Sequence, residues 1–140
     1  MKILLSIKPE FAEKIFDGTK SFEFRKAIFK NQSVKTVVVY ATRPVGKIVG
    51  EFDIDCIFED SPNNLWIRTK NYAGITKDFF DSYFSGRNKG YAISIAETRE
   101  YEDPIDPGKL IENFSPPQSY MYLDDDLQRL QEREQATFAF

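Results

Sequence analysis

The sequence contains no histidine and a single cysteine, Cys56. The missing histidine removes the commonest general base and the usual zinc ligand, together with every Ser-His or Cys-His nucleophile arrangement. One cysteine rules out an intramolecular disulfide. With no histidine beside it, Cys56 cannot build a structural zinc site, and neither a metal nor a cofactor is expected. Catalysis, if there is any, would rest on carboxylates, lysine, tyrosine, serine or threonine. Long apolar runs are also missing, so no membrane span and no membrane partner are expected. The opening MKILLSIKPEF begins like a signal peptide, but its apolar run is five residues long and Pro9 follows. No small-residue cleavage site is visible, so the run reads as a first strand and the protein as cytoplasmic. There are no internal repeats or low-complexity tracts.

What is present is apolar and aromatic. The chain has 140 residues, 41% of them hydrophobic, and 13 are Phe. That suffices for one domain with a single core and is too much for a disordered chain. The net charge of −3 argues against a general polyanion binder, but the charge is unevenly spread. Residues 1–50 carry ten Lys and Arg against four Asp and Glu, whereas residues 100–140 carry three against ten. Such asymmetry can mark a nucleic-acid face; it can equally mean that opposite charges meet in the fold.

Ile3 to Ile7 is a short apolar strand. Pro9 suits the first position of a helix, Glu10 and Glu13 suit its positive end, and Phe11, Ala12, Ile15 and Phe16 recur at helical spacing. Asp17-Gly18 stops that helix, with Gly18 in the left-handed cap. In GTKSFEFRK, residues 18–26, Phe22 and Phe24 then face one way and Ser21, Glu23 and Arg25 the other. Lys20 shares parity with the phenylalanines, so it is expected in the turn before the strand, swung outward. KTVVVYAT, residues 35–42, is β-branched and reads as a central strand. Lys47 to Phe58 alternates again, with Cys56 on the apolar parity as a small core residue and Gly50 at a bulge or close approach.

Ser61 to Ala73 reads as a helix, and Thr76 caps a second one ending at Gly86, with Phe79, Phe80, Tyr83 and Phe84 as its buried stripe. Tyr91 to Ile95 is a strand that can stay extended to Tyr101. YEDPIDPGKL and NFSPPQSYMYL read as proline-punctuated connectors. The pattern divides the chain into a domain over residues 1–123 and an acidic C-terminal helix or tail over 124–140. The class is α+β, a small mixed β-barrel of about five to six strands capped by short helices.

One motif stands out. Gly18, Lys20, Glu23 and Arg25 satisfy G-x-K-x-x-E-x-R, between ILLSIKPEFAEKIFDG and VVVYATRPVGKIVGEF. This order, over residues 3–98, resembles the ASCH domain of the PUA-like superfamily, and SPPQSYMYL is similar to a tail segment of stand-alone ASCH proteins. The resemblance implies a PUA-like barrel with a cleft beside the first helix. The motif would line that cleft, and the ligand would be RNA or a nucleotide. Lys20 and Arg25 would meet phosphate or a base edge, and Glu23 would orient them or accept from an exocyclic amine. Lys8, Thr42 and Arg43 are further candidates, by adjacency to the matching segments. The residue chemistry agrees, since Arg offers a planar fork and Lys a mobile charge. Tyr40, Tyr91 and Tyr120 are candidate stacking faces that serve equally well as packing. Without the flanking match, Glu23 and Arg25 would read as an exposed pair on a strand.

Three functions follow, the first as the preferred reading and the others as alternatives. The first is an RNA- or modified-nucleotide-binding module. The second is a nucleic-acid-processing hydrolase. Some ASCH relatives are nucleoside amidohydrolases that use a Lys with a Thr three residues later and a distant Glu, and ribonuclease activity occurs in the family. Here Glu23 stands three residues after Lys20, which departs from that pattern, although Thr19 and Ser21 are adjacent hydroxyls. Lys20 and Glu23 are then the candidate acid/base pair, with Glu23 or Glu51 as the base for a 2′-hydroxyl. The third is a protein-interaction module acting through the acidic tail.

Overall fold

The computed structural model describes residues 1–123. The acidic tail and the closing ATFAF lie outside the described residues. The chain opens with β1 (Lys2–Ile7), α1 (Pro9–Asp17) and β2 (Phe22–Arg25). It continues with β3 (Thr36–Ala41), β4 (Lys47–Asp60), α2 (Pro62–Thr69) and α3 (Lys77–Tyr83). β5 (Gly90–Ile105) and β6 (Met121–Leu123) complete the described part. The helix signals act as their chemistry predicts. Pro9 starts α1, Gly18 ends it at φ 87°, and the Ser61 and Thr76 hydroxyls accept from Asn64 N–H and Phe79 N–H to cap α2 and α3.

The six strands form one mixed sheet in the order β2-β5-β4-β3-β1-β6. β1 and β3 pair in parallel, which α1 and β2 make possible by carrying the chain across between them. Both strands are apolar on both faces because both faces are covered. Ile3, Leu5, Ile7, Val37 and Val39 pack under α1 with Ala12 and Ile15. Leu4, Val38 and Tyr40 point the opposite way, onto Ile48, Tyr101, Ile105 and Leu123. A third cluster seats α2 and α3 on β2 and β5 through Phe24, Leu65, Phe80, Phe84 and Ala92.

The class is α+β, but the barrel is not closed. β2 and β6, the two ends of the strand order, are four and three residues long. The sheet curls far enough for Arg25 on β2 to reach the β1 carbonyl of Ser6 at 3.4 Å, so a side chain spans the seam where a backbone ladder would close a barrel. This seam positions the cleft described below.

Three other expectations are corrected. Cys56 is exposed, because pairing between β4 and β5 shifts register at Phe52/Ile54 and again at Ile54/Cys56, which breaks the alternation. YEDPI is strand, not connector. Register with β4 jumps from Glu100 to Ile105, so Pro104 falls where no ladder donor is required. Residues 121–123, read as the end of a connector, form edge strand β6 on β1. Gly50 lies at a register shift, and an added Cβ would overlap the Phe16 ring and the Arg99 carbonyl.

Candidate functional site

Lys20 does not swing outward. Its backbone is pinned on both sides: Lys20 N–H donates to the Lys14 carbonyl of α1, and Ser21 N–H donates to the Tyr72 carbonyl. The side chain is thereby turned inward and is only 2% exposed. Its Nζ donates to the Ala73 carbonyl at 2.9 Å and lies 4.8 Å from the Phe24 ring centroid and 5.5 Å from that of Phe11. Its stem packs on Gly74, at φ 71°, where an added Cβ would overlap the Lys20 Cβ and Cγ. Burial pushes the Lys20 ammonium down to about 8. The Glu23 carboxylate opposes that shift, and the Lys14 charge adds to it.

Glu23 is 6% exposed, so β2 does not carry a solvated charged face. Its carboxylate lies 3.8 Å from the Arg25 guanidinium. That guanidinium donates to the Ser6 carbonyl and, at 2.6 Å, to the Ser119 carbonyl. Ser6 Oγ in turn donates to the Pro117 carbonyl at 2.9 Å. Residues 117–119, inside the segment read as a connector, therefore strap the seam beside the motif.

Lys20, Glu23 and Arg25 share one cavity of about 210 Å³ with Ser6, Lys8, Phe11, Phe24, Phe79 and Tyr83. It lies between the end of β1, α1, β2 and α3. Burial pushes the Tyr83 hydroxyl up, against the opposing charge of Arg25. The mouth carries Lys8, whose Nζ sits 5.0 Å from the Phe79 ring centroid. A charged floor with aromatic walls is suited to holding an anionic or amide-bearing planar group. Burial strengthens each polar contact made there.

Of the other candidates, Gly18 caps α1 and does not line the cavity. Thr42 N–H donates to the Ile7 carbonyl, and Arg43 is exposed; neither lines the cavity. Tyr40 packs on Phe114, Tyr120 packs on Phe29 and Tyr122, and Tyr91 lies in a different depression near Cys56. The walls are instead Phe11, Phe79 and Tyr83, which the sequence reading assigned to helix packing. The signal was available, because Phe79, Phe80, Tyr83 and Phe84 form two columns on α3, not one. Phe80 and Phe84 face the core, while Phe79 and Tyr83 face the cavity.

The hydroxyl of Thr19 donates to Asp17 at the surface. Glu51 does not line the cavity: it accepts from Tyr101 at 2.8 Å and Arg99 at 3.0 Å, and it pairs with Lys2. Among the described residues, no group of three or more Asp, Glu, Cys or His converges to hold a metal, and no helix is long and apolar enough to cross a membrane.

Residues 1–115 match the family described as "Domain of unknown function (DUF365)". A protein of Zymomonas mobilis named "ASCH domain-containing ribonuclease" is 33% identical over 123 residues, covering 86% of this chain and 82% of that one. The chain belongs to the ASCH domain family. The crystal structure of ASCH from Zymomonas mobilis superimposes on it with a TM-score of 0.88 and 29% identity, over 94% of each chain. The ASCH region also resembles part of a larger protein: "Large ribosomal subunit protein uL22" of Ureaplasma parvum is 30% identical over 105 residues. Those residues make up 74% of this chain and 33% of that one.

Proposed function

We propose that this ASCH chain binds RNA or a nucleotide in the cleft lined by Lys20, Glu23 and Arg25. The observation that carries the proposal is the burial of Lys20. A lysine 2% exposed with one carbonyl partner is costly to keep, and the cost makes sense where a ligand supplies the missing anion or acceptor. Arg25, whose fork is held by the Ser6 and Ser119 carbonyls, brings a fixed positive charge to the same cavity, and Glu23 an acceptor for an exocyclic amine. The Zymomonas mobilis relative's name, a ribonuclease, supports RNA as the partner class. An RNA partner is compatible with a place of work in the cytoplasm.

Binding of single nucleoside monophosphates and of a short single-stranded RNA, followed by calorimetry, tests the reading. Lys20→Met keeps the apolar stem and should abolish binding. Equal affinity in wild type and variant would contradict the assignment.

One observation favours a second reading, hydrolysis at the same cleft. A lysine near 8 beside a carboxylate can exchange protons around neutral pH. Glu23 would take the proton as the 2′-oxygen attacks the phosphorus, Lys20 would stabilise the charge on the phosphoryl oxygens, and the 5′-oxygen would leave, protonated by solvent, to give a 2′,3′-cyclic phosphate. RNA cleaved by wild type and left intact by Glu23→Gln would establish this reading; RNA bound and left intact by both would leave the chain a binding module.

A further inference from the structure

The cavity admits about 210 Å³, less than the roughly 300–1,000 Å³ of sites for drug-sized ligands. That is room for one base or one phosphate-bearing sugar. Its wall on α3, however, carries a repeating chemistry that Lys26 extends past the cavity lining. Phe79 is 36% exposed at the mouth, with Lys8 Nζ 5.0 Å from its ring centroid. One helical turn on, Tyr83 also borders the cavity, with Lys26 Nζ 4.7 Å from its ring centroid. Both lysines are exposed.

Building on the RNA-or-nucleotide reading, we propose that the cleft takes one nucleotide of a single-stranded RNA whose neighbours lie along the rim of Lys8, Phe79, Tyr83 and Lys26. An aromatic face with a cation over it, repeated one turn later on the same helix, matches a chain in which bases alternate with phosphates. On binding, a base takes the ring face by stacking, and the displaced ammonium moves to the adjoining phosphate. The bases must be unstacked to reach both rings, so a duplex is excluded. The two exposed lysines also set a modest salt dependence, since each single-strand phosphate contact contributes about 0.7 to the slope of log affinity against log salt.

Calorimetric titration of the full chain with uridine monophosphate, a uridine trinucleotide, a hexanucleotide and a duplex tests this directly. The trinucleotide should bind about tenfold more tightly than the monophosphate, the hexanucleotide should add little, and the duplex should not bind. Phe79→Ala, at an exposed position, should weaken the trinucleotide about fivefold or more and the monophosphate less. Lys26→Gln should lower the trinucleotide's salt slope by about 0.7. Equal affinity for monophosphate and trinucleotide, or an unchanged trinucleotide affinity in Phe79→Ala, would overturn the rim track and leave the cleft reading standing. Failure of every probe to bind wild type would contradict the cleft reading and the track together.

Discussion

The Lys20 ammonium donates to the Ala73 carbonyl at 2.9 Å, across a turn that Gly74 leaves without a side chain. Two segments 53 residues apart thus hold one charge inside the protein. α1 supplies the first through the Lys14 carbonyl, and the turn after α2 supplies the second. The arrangement fixes the ammonium beside Phe11 and Phe24 and leaves it facing the cleft.

The buried charge makes stability depend on pH in a definite direction. Lys20 titrates near 8 in the folded protein against 10.5 for the unperturbed group. Above pH 8 the folded state loses this proton first, so the unfolded state binds more protons and stability rises with pH. The penalty is fully present below pH 8 and is relieved as pH rises toward 10.5. Lys20→Met should therefore exceed wild type in stability at pH 7, by on the order of 1 kcal/mol once the orphaned Ala73 carbonyl is counted. That advantage should shrink between pH 8 and 10. Urea midpoints for both proteins at pH 7 and pH 10 check it.

Arg25 holds the seam that the sheet leaves open. Arg25→Lys keeps the charge and loses the fork that reaches the Ser6 and Ser119 carbonyls together. The expected cost is about 1–2 kcal/mol of stability, with faster amide exchange in residues 117–123 than in β3. Uniform exchange across both regions would show that the strap does not depend on this residue.

Glu51 belongs to a separate network. Its carboxylate takes hydrogen bonds from Tyr101 and Arg99, and Arg99 also clasps Asp53 at 2.6 Å. The two carboxylates hold the Arg99 guanidinium more firmly protonated than usual. Glu51→Gln should lower stability by about 1–2 kcal/mol and leave nucleotide binding unchanged. Thermal melts with and without ligand separate the two effects, and a loss of ligand-induced stabilisation in Glu51→Gln would contradict its exclusion from the site.

Much of the fold is readable in the residues. Pro9 and Gly18 bracket α1, Ser61 and Thr76 start the next helices, and β1 and β3 carry apolar residues on both faces because both faces are covered. The motif positions Lys20, Glu23 and Arg25 also announce themselves by type and spacing. Their orientation does not. Parity puts Lys20 on the face of Phe22 and Phe24, its charge argues for an outward turn, and contacts with Lys14, Tyr72 and Ala73 hold it in. Tyr72 and Ala73 are distant in sequence, and all three partners act through carbonyls, which any residue could supply. The Cys56 error has a similar origin, because a bulge in β4 shifts the alternation without a glycine or proline at the shift. Barrel closure depends on whether four-residue β2 and three-residue β6 meet, which no local pattern encodes.

The most direct test of the cleft is a ¹⁵N-resolved titration of the protein with a nucleoside monophosphate and with single-stranded RNA. Amide shifts should cluster at Lys8, Phe11, Lys20, Glu23, Arg25, Phe79 and Tyr83, and vanish in Lys20→Met while the variant's own spectrum stays folded. Shifts centred instead on Glu51, Asp53 and Arg99, or a Lys20→Met protein that responds like wild type, would contradict the account.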